Sequence, residues 1–166
     1  MYFGLINNSK AFNEMIDGWR KFYKEHESCR LYVLTSSEID NYTDSNIIVK
    51  RNLSNFEIAE ILTLSTFFIL PIKPLIGLNN ATLKTATLFG CIPIGVFSDK
   101  YSFNSIFKFN MSKYTPEEFH QILKLTTNIS SEEAKEQYVN SLEFSKKYNI
   151  KTISDEIVEV FIKNLS

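Results

Sequence analysis

Residues 66–97 read TFFILPIKPLIGLNNATLKTATLFGCIPIGVF, and this stretch decides the fold. Thr66 to Leu70 is a β-branched and aromatic run stopped by Pro71, which predicts a central strand. Lys73 to Leu78 carries Pro74 and Gly77 and reads as a loop. Asn79 or Asn80 then caps a helix to Phe89, and Gly90 stands where such a helix stops. Ile92 to Phe97 follows at once as another buried strand. Strand, helix and strand in so short a span make a βαβ unit with parallel strands.

The same alternation extends toward the amino end. Tyr2 to Ile6 is a short apolar run, and Asn7-Asn8-Ser9 is a turn and cap signal. Phe12, Met15, Ile16, Trp19, Phe22 and Tyr23 then recur at helical spacing, which lays one apolar stripe along a helix starting near Lys10. Leu31 to Leu34 and Ile47 to Lys50 predict two more strands. Ser54 with Glu57 is a capping box that opens a helix through about Leu64. Toward the carboxyl end, Ile106 to Phe109 predicts a last short strand. Thr115-Pro116-Glu117-Glu118 and Ser130-Ser131-Glu132-Glu133 each open a helix, and Thr152 to Leu165 reads as a third.

Short apolar strands separated by amphipathic helices imply a parallel sheet covered on both faces, an α/β, Rossmann-like doubly wound domain. The 166 residues suit one domain, spanning 1–166 and closing with carboxyl-terminal helices over about 131–165. Hydrophobic content of 44% and charged content of 22% are those of an ordinary globular chain. A net charge of −1 leaves no basic field for nucleic acid. Two cysteines outside any Cys-x-x-Cys pair and two histidines predict no metal site. The longest apolar stretch, Phe67 to Ile72, predicts no transmembrane segment, and the lack of an export signal places the chain in the cytoplasm.

In doubly wound folds ligands bind at the carboxyl ends of the strands. That edge comprises the loops at Gly4–Lys10, Thr35–Ser37, Lys50–Ser54, Pro71–Thr82 and Ser98–Phe103. The first strand is not followed by Gly-x-Gly-x-x-Gly and no P-loop is present, so dinucleotide and ordinary NTP sites are disfavoured. Gly4 to Lys10 places a glycine at a strand end and a lysine at a helix start, with Asn8 between them, an arrangement suited to a phosphate. Asn79 to Ala86 places Asn80, Thr82, Lys84 and Thr85 at the start of a helix. Arg51 and Asn52 end the third strand within reach of a base. The alternatives are plain: a solvated Lys10 and Lys84, Asn80 and Thr82 as caps, and Asn52 as a loop residue.

These motifs, in this order, resemble the carboxyl-terminal, nucleotide-sugar-binding domain of GT-B glycosyltransferases of the retaining group 1, GT4-like family. Gly4 and Lys10 match the Gly and Lys of its opening strand. Leu70-Pro71, Gly77-Leu78, Ala86 and Gly90-Cys91-Ile92-Pro93-Ile94 follow in the family's order, and Phe144-Ser145 through Phe161 is similar to its closing helix. The resemblance implies a hexosyl-transfer domain for glycan, capsule or lipopolysaccharide-type synthesis. It also implies a UDP- or GDP-sugar donor bound near Gly4, Asn8, Lys10, Thr35, Asn52, Gly77, Asn80, Thr82, Lys84 and Thr85, with no cofactor beyond that donor. The acceptor then requires a further domain or a separate chain, through which the whole could attach peripherally to a membrane. The sequence departs from the pattern at three places. Leu5 replaces the Arg after the first Gly, Thr35-Ser36-Ser37 replaces a glycine-rich turn, and the acidic residues near Pro74 and at Lys84 or Thr85 are absent. Those departures raise an alternative, a non-catalytic GT-B-like interaction module.

Overall fold

A computed structural model describes residues 1–39, 46–101 and 103–148. Its elements in chain order are β1 (Tyr2–Phe3), α1 (Phe12–Tyr23), β2 (Leu31–Leu34), β3 (Ile47–Lys50), α2 (Asn55–Thr63), β4 (Phe67–Leu70), α3 (Ala81–Leu88), β5 (Ile92–Gly95), α4 (Pro116–Thr127) and α5 (Ser131–Lys147). Two short 3-10 turns, Asp99–Tyr101 and Phe103–Ser105, follow β5. The helix expected over Thr152–Leu165 lies outside the described residues.

All strand pairs are parallel. β2 lies between β1 and β3, with Tyr2 opposite Val33 and Leu31 opposite Ile47, and β4 pairs with β5 with Phe67 opposite Ile92. Met1 joins the two groups. Its amine donates to the Phe67 carbonyl at 2.9 Å, and its carbonyl accepts from Ile69 N–H at 2.7 Å. The spatial order is therefore β3-β2-β1-β4-β5, which reverses direction between β1 and β4. A parallel bridge from Gly95 to Asn110 extends it beyond β5. This is the doubly wound Rossmann order, and its switch point lies between the ends of β1 and β4.

Two strands end earlier than the sequence expectation, β4 begins at Phe67 rather than Thr66, and one expected strand is absent. The β1 pairing ends at Phe3 rather than Ile6, because Gly4 turns the chain at φ 137°, a conformation side chains resist. The ladder of β5 with β4 ends at Gly95, after which Ile76 pairs with Phe97 instead. The strand expected over Ile106–Phe109 does not form. Ile106 and Phe107 both donate their N–H to the Phe103 carbonyl in a tight turn, and Phe103 and Phe107 pack against Phe97 and Phe144 in an aromatic cluster. The turn that closes on the Phe103 carbonyl takes the N–H groups of Ile106 and Phe107 away from any ladder, so the sheet contact is displaced to Phe109–Met111.

The core lies in two layers. One gathers Phe12, Met15, Ile16, Trp19 and Phe22 of α1 with Phe119, Ile122 and Leu123 of α4. Gly18 makes that pairing possible, since a Cβ there would stand 2.4 Å from the Phe119 Cβ and 2.8 Å from the Pro116 carbonyl. The other gathers Leu62, Leu83, Ala86 and Phe144 of α2, α3 and α5 with Phe68, Leu70 and the aromatic cluster. The caps read in the sequence form. Ser54 with Glu57 and Ser130 with Glu133 close capping boxes, Thr115 caps α4, and Asn80 rather than Asn79 caps α3. Gly90 ends α3 at φ 73°, packed beneath the Tyr138 ring. Asn7 does not cap α1. Its Oδ1 accepts from Ser9 N–H and Ser9 Oγ in a local turn, and Ala11 occupies the cap position without a side-chain bond.

Candidate functional site

The carboxyl edge of the sheet is assembled by backbone pairing between its loops. Lys10 and Ile72 form an antiparallel bridge, Ala11 N–H donates to the Pro71 carbonyl at 2.7 Å, and Lys73 N–H donates to the Ser9 carbonyl at 2.8 Å. The loop after β1 is thus sewn to the loop after β4 at the switch point. Ser37 Oγ accepts from Ile6 N–H at 2.9 Å, which joins the loop after β2 to the same crest. On the far side, Ile76 N–H donates to Val96 and Ser98 N–H donates to Ile76, which carries residues 74–80 across the end of β5. Tyr114 from the start of α4 fastens the two strand ends: its hydroxyl donates to Leu70 and accepts from Val96 N–H, and burial pushes its pKa up to about 12.

A cavity of about 270 Å³ opens at the ends of β1, β2 and β3. Gly4, Thr35 and Asn52 line it together, three of the residues singled out in the sequence. Phe3, Leu34, Leu53 and Ile58 give it apolar walls, and Lys50 and Ser36 stand among its lining residues. Thr35 is buried and its hydroxyl accepts from Ser37 N–H, so it shapes the loop from within. Asn52 adopts φ 52°, a turn conformation that asparagine tolerates.

The other candidates lie elsewhere on the crest. Asn8 is exposed in the loop after β1, and Gly77 is in the segment crossing β5. Asn80 Oδ1 accepts from Leu83 N–H at 2.7 Å, so its side chain serves the helix start. Thr82 and Thr85 lie three apart on α3, on one face and half-buried. Lys84 is half-buried one turn into that helix. Lys10 is half-buried at the switch point, and burial holds its ammonium below the usual lysine range.

Lys73 was missed. It follows the end of β4 directly opposite Ser9, and its Nζ pairs with Glu14 of α1 at 2.8 Å. That bond holds the Glu14 carboxyl below its ordinary range. The position lies next to Pro74, where the resemblance expects an acid. Over residues 4–11, 35–39, 50–54, 71–84 and 96–101 the sequence carries Lys10, Lys50, Arg51, Lys73, Lys84 and Lys100 against Glu38 and Asp99. Within these stretches Lys and Arg outnumber Asp and Glu, and Lys73 is paired with Glu14 of α1. Among the described residues no cluster of His, Cys, Asp and Glu is placed to hold a metal, and no helix is long and apolar enough to cross a membrane.

Strand order, switch point and crest together define a Rossmann-like domain of the GT-B type. Two solved structures share the fold, the OtsA apo structure and a structure described as trehalose-6-phosphate from E. coli bound with UDP-2-fluoro glucose. Each superposes with a TM-score of 0.71 over 99% of this chain at 13% sequence identity, and the chain spans 43% of their length. OtsA is a GT-B glycosyltransferase, so the GT-B fold is common ground, and the GT4-like group is not distinguished from it. No protein-family model matches the sequence, and no curated protein sequence matches it either.

Proposed function

We propose that this chain is the donor-binding domain of a glycosyltransferase, taking a nucleotide-diphosphate sugar such as a UDP- or GDP-sugar. The observation that carries the proposal is Lys10, a half-buried lysine at the switch point that takes no side-chain hydrogen bond or ion pair among the described residues. A desolvated cation without a counter-charge favours an anionic ligand, and a diphosphate supplies one. The basic crest supports the same reading, as does the UDP-2-fluoro glucose bound by a protein of the same fold. In this reading the cavity beside Gly4, Thr35 and Asn52 takes the nucleoside. Lys10 and Lys73 stabilise the charge that builds on the leaving diphosphate when the sugar moves to its acceptor. The acceptor is held by a further domain or separate chain, in glycan, capsule or lipopolysaccharide-type synthesis.

A second reading, a GT-B-like interaction module without catalysis, is favoured by how three side chains of the crest are used. Thr35 and Asn80 use their side chains within the fold, and Lys73 stands beside the place where an acid is expected.

A thermal-shift series with UDP, GDP, UDP-glucose, UDP-GlcNAc and GDP-mannose separates the two. Ligand at about 100 times its Kd stabilises the native state by about 2.7 kcal/mol. For a chain of this size that raises Tm by about 5–10 °C. The shift should appear with one base and shrink in Lys10→Ala. A well-folded protein that ignores all five compounds removes the donor-domain reading.

A further inference from the structure

A cavity of about 530 Å³ lies at the opposite edge of the sheet, and the donor-site reading makes no use of it. Met1, Tyr32 and Phe67 place it at the amino ends of β1, β2 and β4, and it shares no residue with the cavity at the carboxyl edge. Trp19, Phe22, Tyr32 and Phe67 contribute four aromatic rings to its lining. Arg30 and Thr66 are exposed at its mouth. No Asp or Glu lines it. Arg30 takes part in no hydrogen bond or ion pair among the described residues. A smaller cavity of about 270 Å³ shares Leu64, Ser65 and Thr66 with it and extends it along the edge toward Gly90 and Tyr138.

We infer that this cavity is a second binding site, for a small molecule that joins an aromatic or fused-ring body to an anionic group. The volume falls in the range of small-molecule sites, and aromatic walls with few polar groups are their usual lining. Rings pack against rings in offset or edge-on geometry, and four aromatic side chains around one space offer that contact to a planar guest. The guanidinium at the mouth, unopposed by any carboxylate of the lining, selects a carboxylate, sulfonate or phosphate at one end of the guest. The hydroxyl groups of Thr126 and Thr127 already donate to the Leu123 and Lys124 carbonyls, so they remain as acceptors and add no further charge. The inference stands apart from the donor-site reading: the two sites lie at opposite ends of the strands, and either can exist without the other.

The sequence holds one tryptophan, and Trp19 is in the wall of this cavity, so binding there has its own optical signal. The experiment titrates the full chain with 8-anilinonaphthalene-1-sulfonate, exciting tryptophan and reading both emissions. One saturable site is expected, with Trp19 quenched in step with the rise of dye emission. The uncharged analogue N-phenyl-1-naphthylamine should bind about tenfold more weakly, and Arg30→Ala should weaken the sulfonate by about the same factor. Thr66→Phe, at an exposed position, should narrow the mouth and reduce binding with no loss of melting temperature. Saturating UDP should leave the titration unchanged. Dye emission without Trp19 quenching, equal affinity for the charged and uncharged dyes, indifference to Thr66→Phe, or displacement by UDP would each overturn the inference.

Discussion

Replacing Glu14 by glutamine should tighten binding of a nucleoside diphosphate, although Glu14 itself touches no ligand in the reading above. Glu14 and Lys73 form an ion pair at 2.8 Å between α1 and the loop after β4. Their side chains are 32% and 43% exposed, so the pair is screened by water. Pairs of this exposure contribute about 0.2–1 kcal/mol, well below the gross Coulomb attraction. A diphosphate that recruits Lys73 must compete with Glu14 for the ammonium, and the penalty has the same size. At about 1.4 kcal/mol per tenfold, releasing Lys73 should strengthen binding by about 1.4- to 5-fold. The same loss of the pair should lower Tm by no more than about 4 °C. Isothermal titration with UDP or GDP at low and high ionic strength measures both arms, since the gain should shrink as salt screens the crest. Lys73→Ala should move affinity the opposite way, by a similar factor. If Glu14→Gln leaves affinity unchanged or weakens it while the protein stays folded, Lys73 has no part in the site, and the switch-point argument loses one of its two cations.

Two further outcomes follow from single side chains. Tyr114→Phe removes the hydroxyl that joins Leu70 and Val96, leaving a buried N–H without its partner at the ends of β4 and β5. It should cost about 1–3 kcal/mol and lower Tm by about 2–12 °C in a calorimetric scan, and a change below a degree would show that water replaces the hydroxyl. Glu133, bonded by Lys108 and by Ser130, titrates at about 2 in the folded chain against an ordinary value of 4.5. Because the folded value is depressed, its contribution is complete above about pH 4.5 and is lost as the pH falls toward 2. Glu133→Gln should flatten the acid limb of the stability curve in that window and leave its slope near pH 7 unchanged. An acid limb identical to that of the parent would remove Glu133 from the account.

Most of the fold was legible because it rests on local signals. The boundaries of β2 and β3 follow from apolar runs between polar turns, and the capping boxes at Ser54 and Ser130 announce α2 and α5. What failed to show locally was decided by distant partners. Ile106 to Phe109 has the composition of a strand, yet Phe103 and Phe107 are claimed by Phe97 and Phe144, and no window of sequence around 106 contains Phe144. The role of Met1 in joining β1 to β4 is a backbone bond across 66 residues and leaves no trace in composition. The candidate residues were grouped from the sequence at one edge of the sheet, and three of them line one cavity there. Gly4, Thr35 and Asn52 converge because strand ends converge, whereas Asn80 is diverted to its own helix start.

Lys73 shows how an edge can be read from topology while a single charge on it is not. Which edge of the sheet takes ligand is set by strand direction and strand order, and these depend on many apolar residues that tolerate exchange within the core. Which residue carries charge at one point of that edge depends on a single side chain, and a template drawn from a resemblance predicts an acid near Pro74 where this chain has a lysine paired to Glu14. If the crest takes an anion, Lys50, Lys84 and Lys73 can supply the positive charge that the arginine replaced by Leu5 supplies in the resembling pattern. A search for charge on the loops that the topology selects therefore finds Lys73, and a search for matching letters passes over it.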